Sequence, residues 1–272
     1  MVDHGEGYFT ASITQAPQEI RNNCYPRVTF GLNQDLDVKV GTRALGCDKT
    51  AGMDASADIL NAHPDLHNLH NALATIKEPE IERAMNQYVT GYYDSNQDKL
   101  KSAILEFQKV WKDAEPKYFK FVDTIFNGYK WPAGSYMGFL SIFSVGPRFL
   151  DTKTFSLDYT KIPEAVGRIS HEMLHLIFYD WLENKETIFA QSIGDDQVHA
   201  LSEIFNDMAM KLPEYKKVSP RDFPLSYPDL QPLEDEFNKS LEGKDFSIEW
   251  FVAEAKKIYS SYVPNPSALP DY

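Results

Sequence analysis

The residues most able to do chemistry lie in one short stretch, RISHEMLHLIFY at 168–179. His171, Glu172 and His175 stand there in the order His-Glu-x-x-His. Two histidines four residues apart lie one turn apart on the same face of a helix, so their imidazoles can converge on one ion. Glu172 lies beside that ion, where a carboxylate can act as general base toward a water. Because most neighbouring residues are apolar, the cluster is expected to be buried and to need a compensating partner such as zinc.

A catalytic zinc takes three protein ligands and leaves one position open, so the third ligand must come from elsewhere in the chain. A third histidine six residues after His175 would continue the metzincin pattern, but Trp181 occupies that position and excludes the class. Asp180 lies off the ligand face of a continuing helix. His199 can bind zinc, although nothing around it in the sequence orients it. Glu203, in the segment VHALSEIFND, is the candidate that we favour.

Glu203 is followed four residues later by Asp207, on the same face of a helix. Together with the His-Glu-x-x-His motif, this pair resembles the gluzincin group of metallopeptidases, thermolysin-like in its active-site helices. The resemblance covers residues 168–208 and implies that Glu203 completes the zinc site. It also implies that Asp207 hydrogen-bonds a zinc histidine, His171, which fixes the tautomer of the ring and raises its basicity. One zinc ion is the expected cofactor.

The resemblance also bears on the substrate, which is expected to be a peptide or a protein. Gluzincin aminopeptidases carry a Gly-x-Met-Glu-Asn segment whose glutamate binds the substrate amine, and residues 134–138, GSYMG, lack it. An endopeptidase or a specialised peptidase is therefore favoured. In the resembling families a downstream Tyr or His stabilises the oxyanion. Tyr259 and Tyr262 fit that place, and we select Tyr262. Gluzincins that this chain resembles keep an edge strand beside the cleft, so the strand around Tyr136–Val145 could pair with a peptide, or it could belong to an ordinary core sheet, which we favour.

Two functions follow from these residues. The first is a zinc-dependent metallopeptidase that hydrolyses peptide bonds, with Glu172 as general base for the zinc-activated water. The alternative is a catalytically idle zincin-fold binding or scaffold protein, in which the metal is structural or absent. Glu172 argues for the enzyme, because a structural site has no need of a general base.

The elements that must position these residues follow from the hydrophobic periodicity. Residues 1–55 predict a strand- and loop-rich segment, with short strands at YFTASIT, RVTFGL and LDVKVG. Residues 56–127 predict a helical elaboration, with three helices between 64 and 126 that begin near Pro64 and Pro79.

Residues 128–272 predict the catalytic core. A small sheet is expected within 129–160, where aromatic and β-branched residues are punctuated by glycines. The chemistry-bearing helices are predicted from Pro163 through Tyr179 and from Asp195 to Met210, and two more helices at DLQPLEDEFNKSL and SIEWFVAEAKKIYSSY. The expected whole, residues 1–272, is a single α+β zincin-like domain with a small mixed or antiparallel sheet and a mainly helical remainder.

Composition and charge limit the partners. Lys and Arg number 27 against 40 for Asp and Glu, and the resulting formal charge of −13 argues against nucleic acid. No stretch approaches the roughly 20 apolar residues that cross a bilayer, so no membrane span is expected. The opening MVDHGEGYFT shows no secretory signal, but a chain with its signal removed would look the same. We favour a secreted or periplasmic location over a cytoplasmic one. The oligomeric state stays open.

Two further features have alternative interpretations. His63, His67 and His70, in HPDLHNLH, could share a helix face and form a rival metal site, or they could be a solvated helix start. Cys24 and Cys47 could form one disulfide or remain two buried thiols.

Overall fold

The computed structural model describes residues 25–46, 55–221 and 227–261. Within these ranges the strands are β1 (Val28–Gly31), β2 (Tyr136–Ser141), β3 (Arg148–Phe149) and β4 (Thr154–Asp158). The helices are α1 (Gln34–Leu45), α2 (Ala55–Ala62), α3 (His67–Ala72), α4 (Glu78–Ser95), α5 (Gln97–Ile125), α6 (Ala165–Lys185), α7 (Thr187–Ile193), α8 (Asp195–Lys211), α9 (Gln231–Leu241) and α10 (Ile248–Ser261). Outside the described residues lie Cys24, Cys47, Tyr262 and the predicted strand YFTASIT.

The four strands form one mixed sheet in the order β1-β2-β4-β3. β1, β2 and β4 run parallel, and β3 pairs antiparallel with β4 at the edge. The small mixed sheet and the mostly helical remainder confirm the α+β class. Of the two alternatives for the strand around Tyr136–Val145, the edge strand is wrong and the favoured core sheet is confirmed, because β2 is paired on both sides. Its near-continuous apolar run is typical of a strand covered on both faces, which is the core-sheet alternative.

The prediction of a strand at LDVKVG is wrong, because these residues belong to helix α1. Its alternating apolar residues resemble a strand, but the helix start is fixed by local polar groups. The side chain of Asn33 accepts a hydrogen bond from the backbone N of Leu36 at 3.0 Å, which caps the helix. Asp35 and Asp37 lie in the first turn, where the helix dipole favours negative charge. Capping therefore outweighs the alternation.

The remaining predicted elements within the described residues are confirmed. RVTFGL contains β1, and the three helices expected between 64 and 126 correspond to α3, α4 and α5. Pro79 is the second residue of α4, a position that tolerates a missing backbone N–H. The two helices expected to carry the chemistry are α6 and α8, and the last two are α9 and α10.

Two apolar clusters form the core of the described residues. The smaller one joins α1, α2 and α4 to the residues after β2. The larger one contains the sheet and the buried faces of α5, α6, α8 and α10. The sequence grouped α5 with the helical elaboration, yet its buried Trp111 lies in the larger cluster. The hydroxyl of Tyr118 on α5 also donates to the backbone O of Ser170 on α6, at 3.1 Å. Helix α5 therefore supports the helix of the His-Glu-x-x-His motif.

Aromatic packing holds α6 and α8 side by side. The rings of Phe178 on α6 and Phe205 on α8 lie 5.2 Å apart between centroids. Phe251 of α10 and Phe126 close the cluster, at 5.2 and 5.3 Å from Phe205. Such packing fixes the rotation of both helices, and so the direction in which their polar residues point.

Among the described helices, none combines the length and apolar character that crossing a membrane requires.

Candidate metal site

Helix α6 brings His171 and His175 together, as their spacing predicts. Their Nε2 atoms lie 2.9 Å apart, and the two rings meet at 87°. His171 is 4% exposed and His175 is fully buried. The apolar residues around them, Ile169, Leu174 and Ile177, are themselves fully buried, so the helix presents its polar pair to the interior rather than to solvent.

Helix α8 contributes Glu203, which is 2% exposed. Its Oε2 lies 3.4 Å from Nε2 of His171, and its Oε1 lies 3.3 Å from Nε2 of His175. A tetrahedral zinc with bonds of about 2.0–2.1 Å holds its ligand atoms roughly 3.3 Å apart. The three side chains therefore already have the spacing of a zinc ligand set. In the described residues this is the one group of three His, Cys, Asp or Glu side chains whose ligand atoms converge in this way.

The protonation of the two histidines suits a cation. Burial holds the pKa of His171 well below its ordinary value, and the neighbouring His175 adds to the shift. Burial likewise holds the pKa of His175 well below its ordinary value. Both rings are therefore neutral near pH 7, which is the form that binds a metal. Nδ1 of His175 and Oε2 of Glu203 are buried without a hydrogen bond from any described residue. A zinc ion that binds Glu203 compensates that carboxylate, so the residues fit the ion.

Glu172 lies next to the three candidate ligands and toward solvent. Its Oε1 is 3.9 Å from Nε2 of His171, and its side chain is 15% exposed. Burial raises the pKa of Glu172 to about 7, although the guanidinium of Arg148 counteracts the shift. The carboxylate is thus placed beside the candidate metal position rather than in the ligand set, as the sequence predicts for a general base.

Arg148 also belongs to the site, and sequence reasoning missed it. Its Nη2 lies 2.9 Å from Nδ1 of His199 and 3.2 Å from Oε1 of Glu203. Its Nη1 lies 3.9 Å from Oε2 of Glu172, and the guanidinium lies 6.0 Å from the ring centre of Tyr179. Arg148 stands on the two-residue strand β3, which has no recognisable pattern. Tyr179 could have been found, because it lies one turn after the second histidine.

Asn206 lies on the Nδ1 side of the ring of His171. Its Nδ2 donates to the backbone O of His171 at 3.0 Å and lies 3.4 Å from Nδ1 of the same histidine. Asp207, which the resemblance assigned to that role, forms an ion pair with Lys211. Nζ of Lys211 in turn lies 2.6 Å from Oε1 of Glu234 on α9. The orientation of His171 by Asp207 stays a prediction.

No protein-family model, curated protein or solved structure matches the chain. The assignment of the site therefore depends on its residues and their geometry.

The other candidate residues have different surroundings. His199 is not in the converging group, but its Nδ1 lies 3.8 Å from Oε1 of Glu203, so it borders the site. Asp180 accepts a hydrogen bond from the hydroxyl of Tyr129 at 2.7 Å. Tyr259, on α10, packs against the ring of Phe189. Tyr262 lies outside the described residues, so its role stays a prediction.

The second candidate cluster, His63, His67 and His70, does not bring its ring nitrogens together as a metal site requires. His63 uses both ring nitrogens, which lie 2.7 Å from the hydroxyl of Tyr88 and 2.7 Å from the backbone O of Ile142. Nδ1 of His70 lies 3.2 Å from the backbone O of Leu45, and His67 is exposed. His63 is thus a buried structural histidine that ties the helices to the end of β2.

Proposed function

We propose that this protein is a zinc-dependent metallopeptidase with a zincin-like fold, which binds one zinc ion through His171, His175 and Glu203. The observation that carries the proposal is the convergence of three buried ligand atoms from two helices, with Glu172 beside them. Three ligands leave a fourth position for substrate or water, which is typical of catalytic rather than structural zinc. A peptide or protein substrate and a secreted or periplasmic location are part of the proposal.

The exposure of the surrounding side chains indicates where substrate enters. The ligands are almost fully buried, whereas Glu172 is 15%, Arg148 is 18% and His199 is 40% exposed. These three residues therefore form the least buried side of the site, and the apolar core closes the other side. A substrate carbonyl arriving from this side meets Glu172 before it meets the core.

The chemistry follows from the positions of these groups. A bound zinc supplies a Lewis acid that polarises the scissile carbonyl and makes water a better nucleophile. Glu172 accepts a proton from the attacking water and donates it to the nitrogen of the leaving amine, so that the carboxylate is restored. His171 and His175 remain neutral donors throughout. Arg148, whose Nη1 lies 3.9 Å from Oε2 of Glu172, restrains the carboxylate near the ligands.

One observation favours the idle scaffold as the second candidate. The guanidinium of Arg148 lies 3.2 Å from Oε1 of Glu203, so this buried carboxylate has a cationic partner without any metal. A protein in which this ion pair is permanent would need no zinc to fold. Measured turnover separates the two candidates.

The test is peptide hydrolysis by zinc-loaded protein on a mixed peptide library, with the products identified by mass spectrometry. Glu172→Gln should retain zinc and lose about 100-fold or more of the rate, because the general base is removed. The matched control is Glu183→Gln, an exposed glutamate on the same helix, which should keep the wild-type rate. Zinc-loaded wild type without turnover on any peptide would favour the scaffold. Turnover unchanged in Glu172→Gln would remove the assigned base.

A further inference from the structure

Arg148 is the buried cation nearest to the three candidate ligands, and its position is fixed from several sides. It stands on β3, an edge strand of the sheet, and its side chain is 18% exposed. The guanidinium lies 2.9 Å from Nδ1 of His199 and hydrogen-bonds Tyr179. Tyr179 is held in turn by the hydroxyl of Ser202, at 3.3 Å. None of these three contacts involves a proposed metal ligand, so they persist when the metal site is filled.

Binding of a zinc ion changes the net charge of the groups around Arg148. Counted with both carboxylates ionised and both histidines neutral, Glu172, Glu203 and Arg148 together carry one net negative charge. A divalent ion reverses this to one net positive charge and binds the carboxylate of Glu203. The guanidinium then shares Glu203 with the metal and keeps Glu172, whose Oε2 lies 3.9 Å from its Nη1, as an anionic neighbour. Because one positive charge is then uncompensated in a largely buried site, the zinc-loaded site favours an incoming anion next to the metal.

A carboxylate fits the donors that Arg148 offers. The guanidinium is planar and can hold both oxygens of a carboxylate through parallel N–H groups. Nη2 of Arg148 lies 3.2 Å from Oε1 of Glu203, which is a proposed ligand atom. The guanidinium is therefore close enough to the metal position for one small substrate to contact both. A substrate that places its carbonyl at the zinc could therefore place a carboxylate, two or three bonds away, at Arg148.

We propose that Arg148 is a specificity-determining residue, which binds a carboxylate of the substrate adjacent to the scissile bond in the zinc-loaded protein. The favoured substrates are peptides with an acidic side chain or a free terminal carboxylate next to the cleaved bond. This inference rests on the proposed function, because it needs a metal at Glu203.

The test compares two small ligands whose hydroxamate binds zinc and whose tails differ in one group. Succinic monohydroxamate ends in a carboxylate, and butyrohydroxamate ends in a methyl group at the same position. Titration calorimetry on zinc-loaded wild type should show at least tenfold tighter binding of the succinic compound. Arg148→Gln should abolish this preference, so that its affinities for the two ligands lie within about threefold of each other. Arg148→Lys, which keeps the charge without the fork, should retain a reduced preference.

Arg168→Gln is the matched control, because Arg168 pairs with Glu164, at 2.8 Å, near the start of the same zinc-binding helix. It should keep the wild-type preference. Equal affinities of the two ligands in wild type, or a preference that survives in Arg148→Gln, would overturn the inference. Zinc content measured on the same samples separates the two proposals: zinc bound without preference contradicts only the role of Arg148, and no zinc contradicts both.

Discussion

The amide of Asn206 lies between the backbone and the ring of His171, and its Oδ1 is buried without a hydrogen bond from any described residue. A histidine that binds metal through Nε2 carries its proton on Nδ1, and that proton needs an acceptor. Rotation of the Asn206 amide would present Oδ1 to Nδ1 of His171 and would give up the hydrogen bond that Nδ2 donates to the backbone O of His171. We therefore expect Asn206 to select the tautomer that binds the ion.

Asn206→Ala should weaken zinc binding by roughly tenfold or more, which is typical for the loss of a group that orients a metal ligand. Asn206→Asp keeps an acceptor oxygen and should retain most of the affinity. Competition with a fluorescent zinc chelator measures both. Asp207→Asn is the informative comparison, since the resemblance gave this role to Asp207. A larger loss in Asp207→Asn than in Asn206→Ala would assign the tautomer to Asp207.

At the level of single residues, spacing in the sequence predicted the part of the site whose geometry is determined by one turn of helix. His171, Glu172 and His175 lie within five positions, so their mutual geometry follows once the segment is helical. Glu203 is on another helix and came from a resemblance, because no local pattern fixes its distance from the histidines. Arg148 reaches the site from a short edge strand, and only the packing of the sheet against α6 brings it there.

Helices α6 and α8 hold the ligands through the aromatic contacts of Phe205 rather than through the polar residues themselves. Phe205→Ala should therefore cost about 3–5 kcal/mol of unfolding free energy, because it leaves a cavity between two helices. Ile188→Ala is the control, since Ile188 is 85% exposed and should change stability by less than about 0.5 kcal/mol. Urea unfolding of metal-free protein measures both. A loss below about 1 kcal/mol in Phe205→Ala would show that this contact does not hold the helices.

The elements themselves were predictable where one periodic signal dominated. Long amphipathic or buried helices such as α4, α5, α6 and α8 have apolar residues at helical spacing over many turns. Helix α1 was mistaken for a strand because its six-residue window alternates, while its N-cap, Asn33, lies outside that window. A core position for β2 was one of two alternatives, but the order of the strands could not be predicted, because it depends on contacts distant in sequence.

At the scale of the whole molecule, the buried carboxylate of Asp37 links helices α1 and α4 to the end of strand β2. Its Oδ1 accepts a hydrogen bond from the hydroxyl of Ser141 at 2.5 Å, and its Oδ2 accepts from the hydroxyl of Tyr93 at 2.8 Å and from the backbone N of Ile142 at 3.2 Å. Burial outweighs these hydrogen bonds and raises the pKa of Asp37 to about 6. The folded protein thus binds this proton more tightly than the unfolded chain does. The contribution of Asp37 to stability therefore falls as pH rises from about 4 to 6.

Asp37→Asn removes this titration. Relative to wild type, its free energy of unfolding should rise by roughly 2 kcal/mol between pH 4.5 and pH 7, whatever the constant cost of the lost hydrogen bond. Asp35→Asn, an exposed change two residues away in the same helix, should follow the wild-type pH profile. Urea unfolding in EDTA across this range is the measurement. Parallel profiles for Asp37→Asn and wild type would contradict a raised pKa at Asp37.

The central claim is that His171, His175 and Glu203 bind one zinc ion and that Glu172 does not. Elemental analysis of purified wild type, His171→Ala, Glu203→Ala and Glu172→Gln, after equal zinc loading and removal of free metal, tests it most directly. One zinc per chain is expected in wild type and in Glu172→Gln, with strong loss in the other two variants. Zinc retained at one per chain in both His171→Ala and Glu203→Ala, or absent from wild type, would contradict the site.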